Sequence, residues 1–395
     1  MVQIIEQHGK WREAEARKLV LGDRGTALKT SRLSLTRRDQ EALERTAWKR
    51  GEEQLQYWGF SYGTALGQYF ASMQPHRVRR VVLDGVVDMD DYLAGEWATN
   101  LQDTDKITAE FASQCFGAGS EECLVFDDTG PEQILSNLYL ALDTLRSDPL
   151  LGFDTNASPL VITDSMIISK IFDHLYNPNS GFPKIAEILH QVSLRNTSYF
   201  EYLLSPTPTC KVPQSPVKDH STAILAVLCT DGLSHALETK EEFQHYVSQL
   251  RDQSSLFANT WALIRLPCGG YSIRAKWRYG GPFGGITAHP ILFASQRLDP
   301  VTPLRNMYAE RKRWPGSGVL NAGGIGHCTP SAKSVCAMKA IRKYFQTGEL
   351  PKEDLDCQRG RNLFIERTKI TEAGDEYGSE DKALVEATIE LGDSW

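Results

Sequence analysis

Apolar residues along this chain fall into two periods. In residues 165–176 (Ser-Met-Ile-Ile-Ser-Lys-Ile-Phe-Asp-His-Leu-Tyr) and 181–194 they recur three and four positions apart, and 239–254 repeats the spacing. Each of these stretches predicts an amphipathic helix. Shorter, nearly continuous apolar runs at 77–85, 290–295 and 318–322 predict buried strands ending in turns, and a helix-like run occupies 331–345. Strands alternating with helices predict an α/β sheet. About two hundred residues separate the strand at 77–85 from the next, far more than an ordinary loop spans. Residues 92–285 are therefore predicted to form a helical cap over the sheet, broken by a Pro- and Ser-rich stretch at 205–216 and by glycines at 280–285. The expected division is a divergent, mostly helical segment at 1–54, a core at 55–91 and 286–357, the cap, and a flexible tail at 358–395. Residues 366–395 of that tail carry nine acidic and three basic side chains, a composition that favours solvation over packing.

Candidate chemistry sits at the strand ends. Residues 57–67 read Tyr-Trp-Gly-Phe-Ser-Tyr-Gly-Thr-Ala-Leu-Gly, placing Ser61 in a Gly-x-Ser-x-Gly frame between an apolar stretch and a helix-like run. This is the pattern of a nucleophile elbow, where a Cβ at Gly59 or Gly63 would collide with the neighbouring strand and helix. Asp299 falls in the loop after the strand at 290–295. His327 follows the strand at 318–322 through Gly323-Gly324-Ile325-Gly326. Ser, Asp and His in that order, each after a strand, match an α/β-hydrolase triad. A serine is a poor nucleophile at its own pKa, so Ser61 needs His327 as base, and His327 needs Asp299 to fix its tautomer. The backbone N–H of Tyr62 is the expected oxyanion donor.

The phrases Trp58-Gly59-Phe60-Ser61-Tyr62-Gly63-Thr64, Leu83-Asp84-Gly85-Val86, Asp299-Pro300-Val301-Thr302-Pro303 and Gly326-His327-Cys328-Thr329 resemble the tripeptidyl aminopeptidase-like serine hydrolases of fungi and actinobacteria. Leu175-Tyr176-Asn177-Pro178 and Cys229-Thr230-Asp231 extend the similarity into the cap, and it covers roughly residues 39–364. The resemblance implies an α/β-hydrolase core with a large helical cap, catalysis by Ser61, His327 and Asp299, and no cofactor. It also implies exopeptidases that release short peptides from a free N-terminus, a task that needs carboxylates for the substrate ammonium. Asp84, Asp88, Glu96 and Asp231 are the candidates, with Trp97, Tyr199, Phe200, Trp261 and Trp277 as possible pocket aromatics. Two other readings stay open: an esterase or thioesterase on a fungal secondary metabolite, and a catalytically impaired binding protein.

The last reading arises from the N-terminal region. An α/β-hydrolase ordinarily has further strands before its nucleophile, and the loop after the third supplies a second oxyanion amide. Sixty residues precede Ser61, with Gly9, Gly22, Gly25 and Gly51 scattered among polar positions. They predict no glycine-rich loop, although His8-Gly9 imitates the start of one. An N-terminally truncated chain is one expectation from this pattern.

Net charge of −7 and a pI near 5.8 argue against a nucleic-acid partner. No stretch reaches the roughly 20 apolar residues of a membrane span, and the first residues lack the pattern of a signal peptide. Taken literally, this reads as a cytoplasmic protein. The eight cysteines point the other way. Cys115 with Cys123 and Cys336 with Cys357 are spaced as local bridges, and Cys229 with Cys268 is a third candidate pair. In the resembling family such bridges accompany secretion, and sequons at Asn196 and Asn156 agree with it. None of the cysteines has zinc spacing, so no metal site is expected. A peptide or a small amide or ester is the expected partner, with no membrane and an undetermined oligomeric state.

Overall fold

The computed structural model describes residues 1–21, 35–154, 157–204, 220–358, 362–364 and 379–393. Strand β1 (Leu55–Phe60) enters the helix Tyr62–Met73, which returns through Pro75–Arg77 to β2 (Val78–Asp84) lying parallel to β1. In the cap, β3 (Leu150–Phe153) and β4 (Pro159–Ile162) form an antiparallel hairpin. The core resumes with β5 (Leu292–Ser295), β6 (Gly318–Asn321) and the short β7 (Leu355–Asp356). The main sheet runs β1-β2-β5-β6-β7 with every pair parallel. Among the described residues, β1 is its terminal strand.

Parallel strands covered on both faces should be apolar throughout, and β2 shows the result. Val81 and Leu83 pack with Phe293 and Val319 under Phe70, Ala71, Met307 and Trp314. Val82 points the other way, joining Leu292, Ala294 and Leu320 against Ala337, Ile341 and Tyr344 of the helix Val335–Thr347. Each such buried aliphatic side chain contributes roughly 1.5–3 kcal/mol.

The cap contains the helices Thr104–Ala118, Pro131–Ser147, Asp164–Leu175, Pro178–Ser193, Thr197–Leu204, His220–Asp231, Lys240–Arg251 and Ala258–Arg265. Its core reflects the spacing in the sequence. Ile134, Leu138 and Leu142 pack against Ile167 and Ile171, and against Phe182, Ile185 and Leu189. The same cluster includes Leu298, Val301 and Ile325 from the loops after β5 and β6. Cap packing thus sets the position of the loops that carry Asp299 and His327.

Three expectations are corrected or bounded here. The cap is not wholly helical, because Leu150 and Ile162 pair and bury one side of a hairpin. Where a flexible acidic tail is expected, Ser379–Asp393 forms a helix that buries Thr388 and pairs Asp381 with Lys339 at 2.7 Å. His8 and Gly9 lie inside the helix Val2–Leu21, where Gly9 leaves room for Glu53 and Trp48. Glu6 of that helix accepts from Trp48, Gly51 and Arg77, anchoring it near the start of β1 and β2, at the opposite end from Ser61. The sequon asparagine at 156 and the break at 205–216 lie outside the described residues.

Disulfides join Cys115 to Cys123 and Cys336 to Cys357, the two pairs spaced as local bridges, and Cys229 to Cys268, the third candidate pair. Three bridges are compatible with a secreted protein. Among the described residues no helix is long and apolar enough to cross a membrane.

Candidate active site

Ser61 stands between β1 and the helix Tyr62–Met73 with φ 52° and ψ −120°. A non-glycine residue at positive φ stores strain and persists only where its surroundings over-determine it. Here the Ser61 N–H donates to the Asp84 carbonyl at 2.9 Å, and its own carbonyl accepts from the Thr64 amide and hydroxyl. The flanking glycines are required by contact. A Cβ on Gly59 would meet Tyr57 Cε1 at 2.3 Å and Gly63 O at 2.6 Å, while one on Gly63 would meet the Tyr57 hydroxyl at 2.9 Å. That hydroxyl donates to Gly63 O at 2.8 Å and braces the turn. The Tyr62 amide is the first of the helix, where backbone donors have no intrahelical acceptor.

Asp299 and His327 meet across 28 positions in the chain. His327 Nδ1 lies 3.0 and 3.1 Å from the two Asp299 carboxylate oxygens, and both residues are buried. Oδ1 also accepts from the Val301 and Thr302 amides at 2.9 and 2.7 Å, and Oδ2 from the Cys328 amide at 3.0 Å. Burial by itself would raise this carboxyl. The His327 ring and the amides outweigh that effect and hold it below its ordinary value. The Thr302 hydroxyl is 3.3 Å from His327 Nδ1. From the cap, Tyr176 stands edge-on to the imidazole at 5.1 Å, and its carbonyl accepts the His327 amide at 2.8 Å. One residue on, the Cys328 sulfur lies against the Ser61 amide and donates to the Asp84 carbonyl at 3.4 Å. The histidine loop and the serine turn are therefore neighbours.

The four carboxylates expected to bind an ammonium separate. Asp84 is fully buried, with its oxygens accepting from Thr329 and Trp58, so it is closed to substrate. Asp88 caps the helix Met89–Ala94 by accepting the Asp90 and Asp91 amides. Glu96 pairs with the buried Arg265 at 2.6 Å. Asp231 is the one of the four that meets the Tyr62 side chain, next to the serine: its Oδ2 accepts from the Tyr62 and Tyr92 hydroxyls at 3.0 and 2.6 Å. Burial first, and then the Asp231 charge, push the Tyr62 phenol up, so it stays a donor. Among the aromatics, Phe200 and Trp261 belong to the cap core and Trp277 is 68% exposed. Trp97 sits beside Tyr92 at 5.6 Å.

Asp299, His327 and Cys328 bring ligand-type atoms within 4.8 Å of one another. The set does not suit a metal. Both carboxylate oxygens are occupied, and burial pushes the Cys328 thiol well up, away from the thiolate a metal takes. Sequence reasoning missed Thr302, Tyr176, Trp58 and Thr329. All four lie in the family-like phrases, but nothing in those phrases reveals their contacts.

A parallel sheet with a strained serine turn after one strand, and an Asp–His pair after two later ones, defines an α/β-hydrolase. Residues 254–357 match the family described as "TAP-like protein". The chain is similar to the tripeptidyl aminopeptidase of Streptomyces lividans, 23% identical over 78% of this chain and 55% of that protein. It is also 25% identical to the putative hydrolase YuaR of Escherichia coli, over 80% of this chain and 61% of that protein. A shorter stretch, 10% of this chain and 7% of the other, is 50% identical to the serine protease Hip1 of Mycobacterium bovis. The chain spans little more than half the length of the first two relatives. Residues 254–357 thus carry a TAP-like domain on an α/β-hydrolase fold, and the relatives that the chain resembles are named as tripeptidyl aminopeptidases, a putative hydrolase and a serine protease.

Proposed function

We propose that the chain is a serine hydrolase that cleaves peptide or related amide bonds through an acyl-enzyme, releasing short peptides from a free N-terminus. The observation that carries this is the buried Asp299–His327 pair held beside the Ser61 turn. In the proposed cycle His327 takes the Ser61 proton as the hydroxyl attacks the carbonyl, and the Tyr62 amide receives the oxyanion. The protonated imidazole then gives its proton to the leaving amine, and water, activated by the same nitrogen, releases the acyl group. Asp231, whose carboxylate accepts from the Tyr62 hydroxyl, is the proposed acceptor for the substrate ammonium. Secretion is proposed from the three disulfides.

A second reading has its own observation. Among the described residues β1 is the terminal strand, and none of them forms a strand beyond it that could carry a second oxyanion loop. One missing donor costs about 100 to 1,000-fold in rate, which favours a catalytically impaired binding protein. A fluorophosphonate probe separates the two: labelling of wild type but not of Ser61→Ala supports the hydrolase, and no labelling of folded wild type supports the binding protein. Aminoacyl amides compared with simple esters then distinguish a peptidase from an esterase or thioesterase.

A further inference from the structure

We propose that Asp84 is a positioning residue for this reaction, a buried carboxylate that ties the serine turn to the histidine loop. The role rests on the hydrolase reading above. Asp84 ends β2, between the strand that leads to Ser61 and the strand that leads to Asp299. Its carbonyl accepts from the Ser61 amide and the Cys328 thiol. Its carboxylate Oδ1 accepts the Thr329 amide at 2.8 Å. Oδ2 accepts the Thr329 hydroxyl and, at 3.0 Å, the Trp58 indole N–H from β1.

Two carboxylates thus grip successive amides directly after His327: Asp299 holds residue 328 and Asp84 holds residue 329. Between them Cys328 adopts φ 63°, a strained conformation that needs such restraint. Gly85 completes the fit, because a Cβ there would meet the Cys328 sulfur at 2.4 Å. A carboxylate buried on three donors with no cation is costly to keep. Burial pushes its carboxyl up to about 6 even though Thr329 and Trp58 favour the charged form. The charged and titratable groups facing it are Asp299 across the loop, the Cys328 thiol, and His327 beyond them.

The test is Asp84→Asn in the full chain. An amide has one acceptor oxygen, so its NH2 must oppose a donor, either the Thr329 amide at the Oδ1 position or the Thr329 hydroxyl and Trp58 indole at the Oδ2 position. A displacement of about 1 Å in the histidine loop costs about 100-fold, so kcat per fluorophosphonate-titrated site should fall about 10 to 100-fold with KM changed less than about twofold. Thr329→Ser, which keeps both donors, should retain wild-type kcat. Unchanged kcat per titrated site in folded Asp84→Asn would overturn the role, as would a loss due entirely to fewer titratable sites. If Asp84→Asn does not fold, Thr329→Val, which removes only the hydroxyl, takes its place under the same criteria. If folded wild type is not labelled, the hydrolase reading falls, and the low-field Nδ1–H proton resonance of His327 decides for Asp84. Its loss or shift in Asp84→Asn supports the grip, and its persistence unchanged overturns it.

Discussion

Replacing Asp299 by Asn removes one charge and almost no volume, so its consequences follow from hydrogen bonding. The side-chain oxygen should stay at the Oδ1 position, where the Val301 and Thr302 amides at 2.9 and 2.7 Å both need an acceptor. The NH2 then occupies the Oδ2 position, 3.1 Å from His327 Nδ1 and 3.0 Å from the Cys328 amide. Both lone pairs of the remaining oxygen are taken by the Val301 and Thr302 amides, so Nδ1 faces the NH2 and becomes an acceptor, and the imidazole proton moves to Nε2, the nitrogen that takes the serine proton in the proposed cycle. A misplaced tautomer of this kind costs about 10⁴-fold in kcat, or roughly 5.4 kcal/mol of activation free energy. The Cys328 N–H, now opposite another donor, adds roughly 1–3 kcal/mol of lost stability. The pH dependence has a definite sign. Because the Asp299 carboxyl is depressed in the folded state, its contribution to stability is present above the unfolded carboxyl value and is lost as pH falls through the folded one. Asp299→Asn should lack that acid limb. Single-turnover kinetics on a fluorophosphonate-titrated sample, with urea unfolding from pH 7 to pH 3, measure both effects. A folded variant within tenfold of wild-type kcat would refute the assignment of Asp299.

Ser61→Gly should be more stable than Ser61→Ala by about 1 kcal/mol, because glycine relieves the positive φ and alanine retains it; equal urea midpoints would show that the turn carries no strain. Arg265, only 3% exposed, pairs with Glu96 and Glu238 and lies 4.0 Å over the Tyr246 ring. Arg265→Ala takes the buried arginine away from Glu238, whose side chain is 9% exposed, and should cost about 3–5 kcal/mol, read as a lower unfolding midpoint; a cost below about 1 kcal/mol would contradict the pairing. Three bridges predict that unfolded, unreduced protein reacts with a thiol reagent at no more than two of its eight cysteines; eight reactive thiols would exclude the bridged fold.

Much of the core was legible in the chain. The run at 77–85 became Val78–Asp84 and the run at 290–295 became Leu292–Ser295, because continuous apolar stretches can be satisfied only between two covered faces. The cap helices appeared within a few residues of their periodic segments, since each buries one stripe. Less local features were not legible. β7 spans two residues and offers no pattern. The helix Ser379–Asp393 reads as solvated by composition, yet buries Thr388. The β3–β4 hairpin leaves Leu151 and Phe153 exposed, so its alternation does not separate apolar from polar positions.

The sequence alone determined the order of the chemistry. The close contacts that require Gly59 and Gly63 lie within a few residues, and Asp299 and His327 follow strands whose apolar character is itself local. Tertiary structure decided which partners each carboxylate meets. Asp84 meets Thr329 across 245 positions, and Asp231 meets Tyr62 across 169. An aspartate's residue type is the same whether it ends buried under three donors or half-exposed beside two phenols. Only the folded arrangement sets how deeply it is buried and which donors it meets.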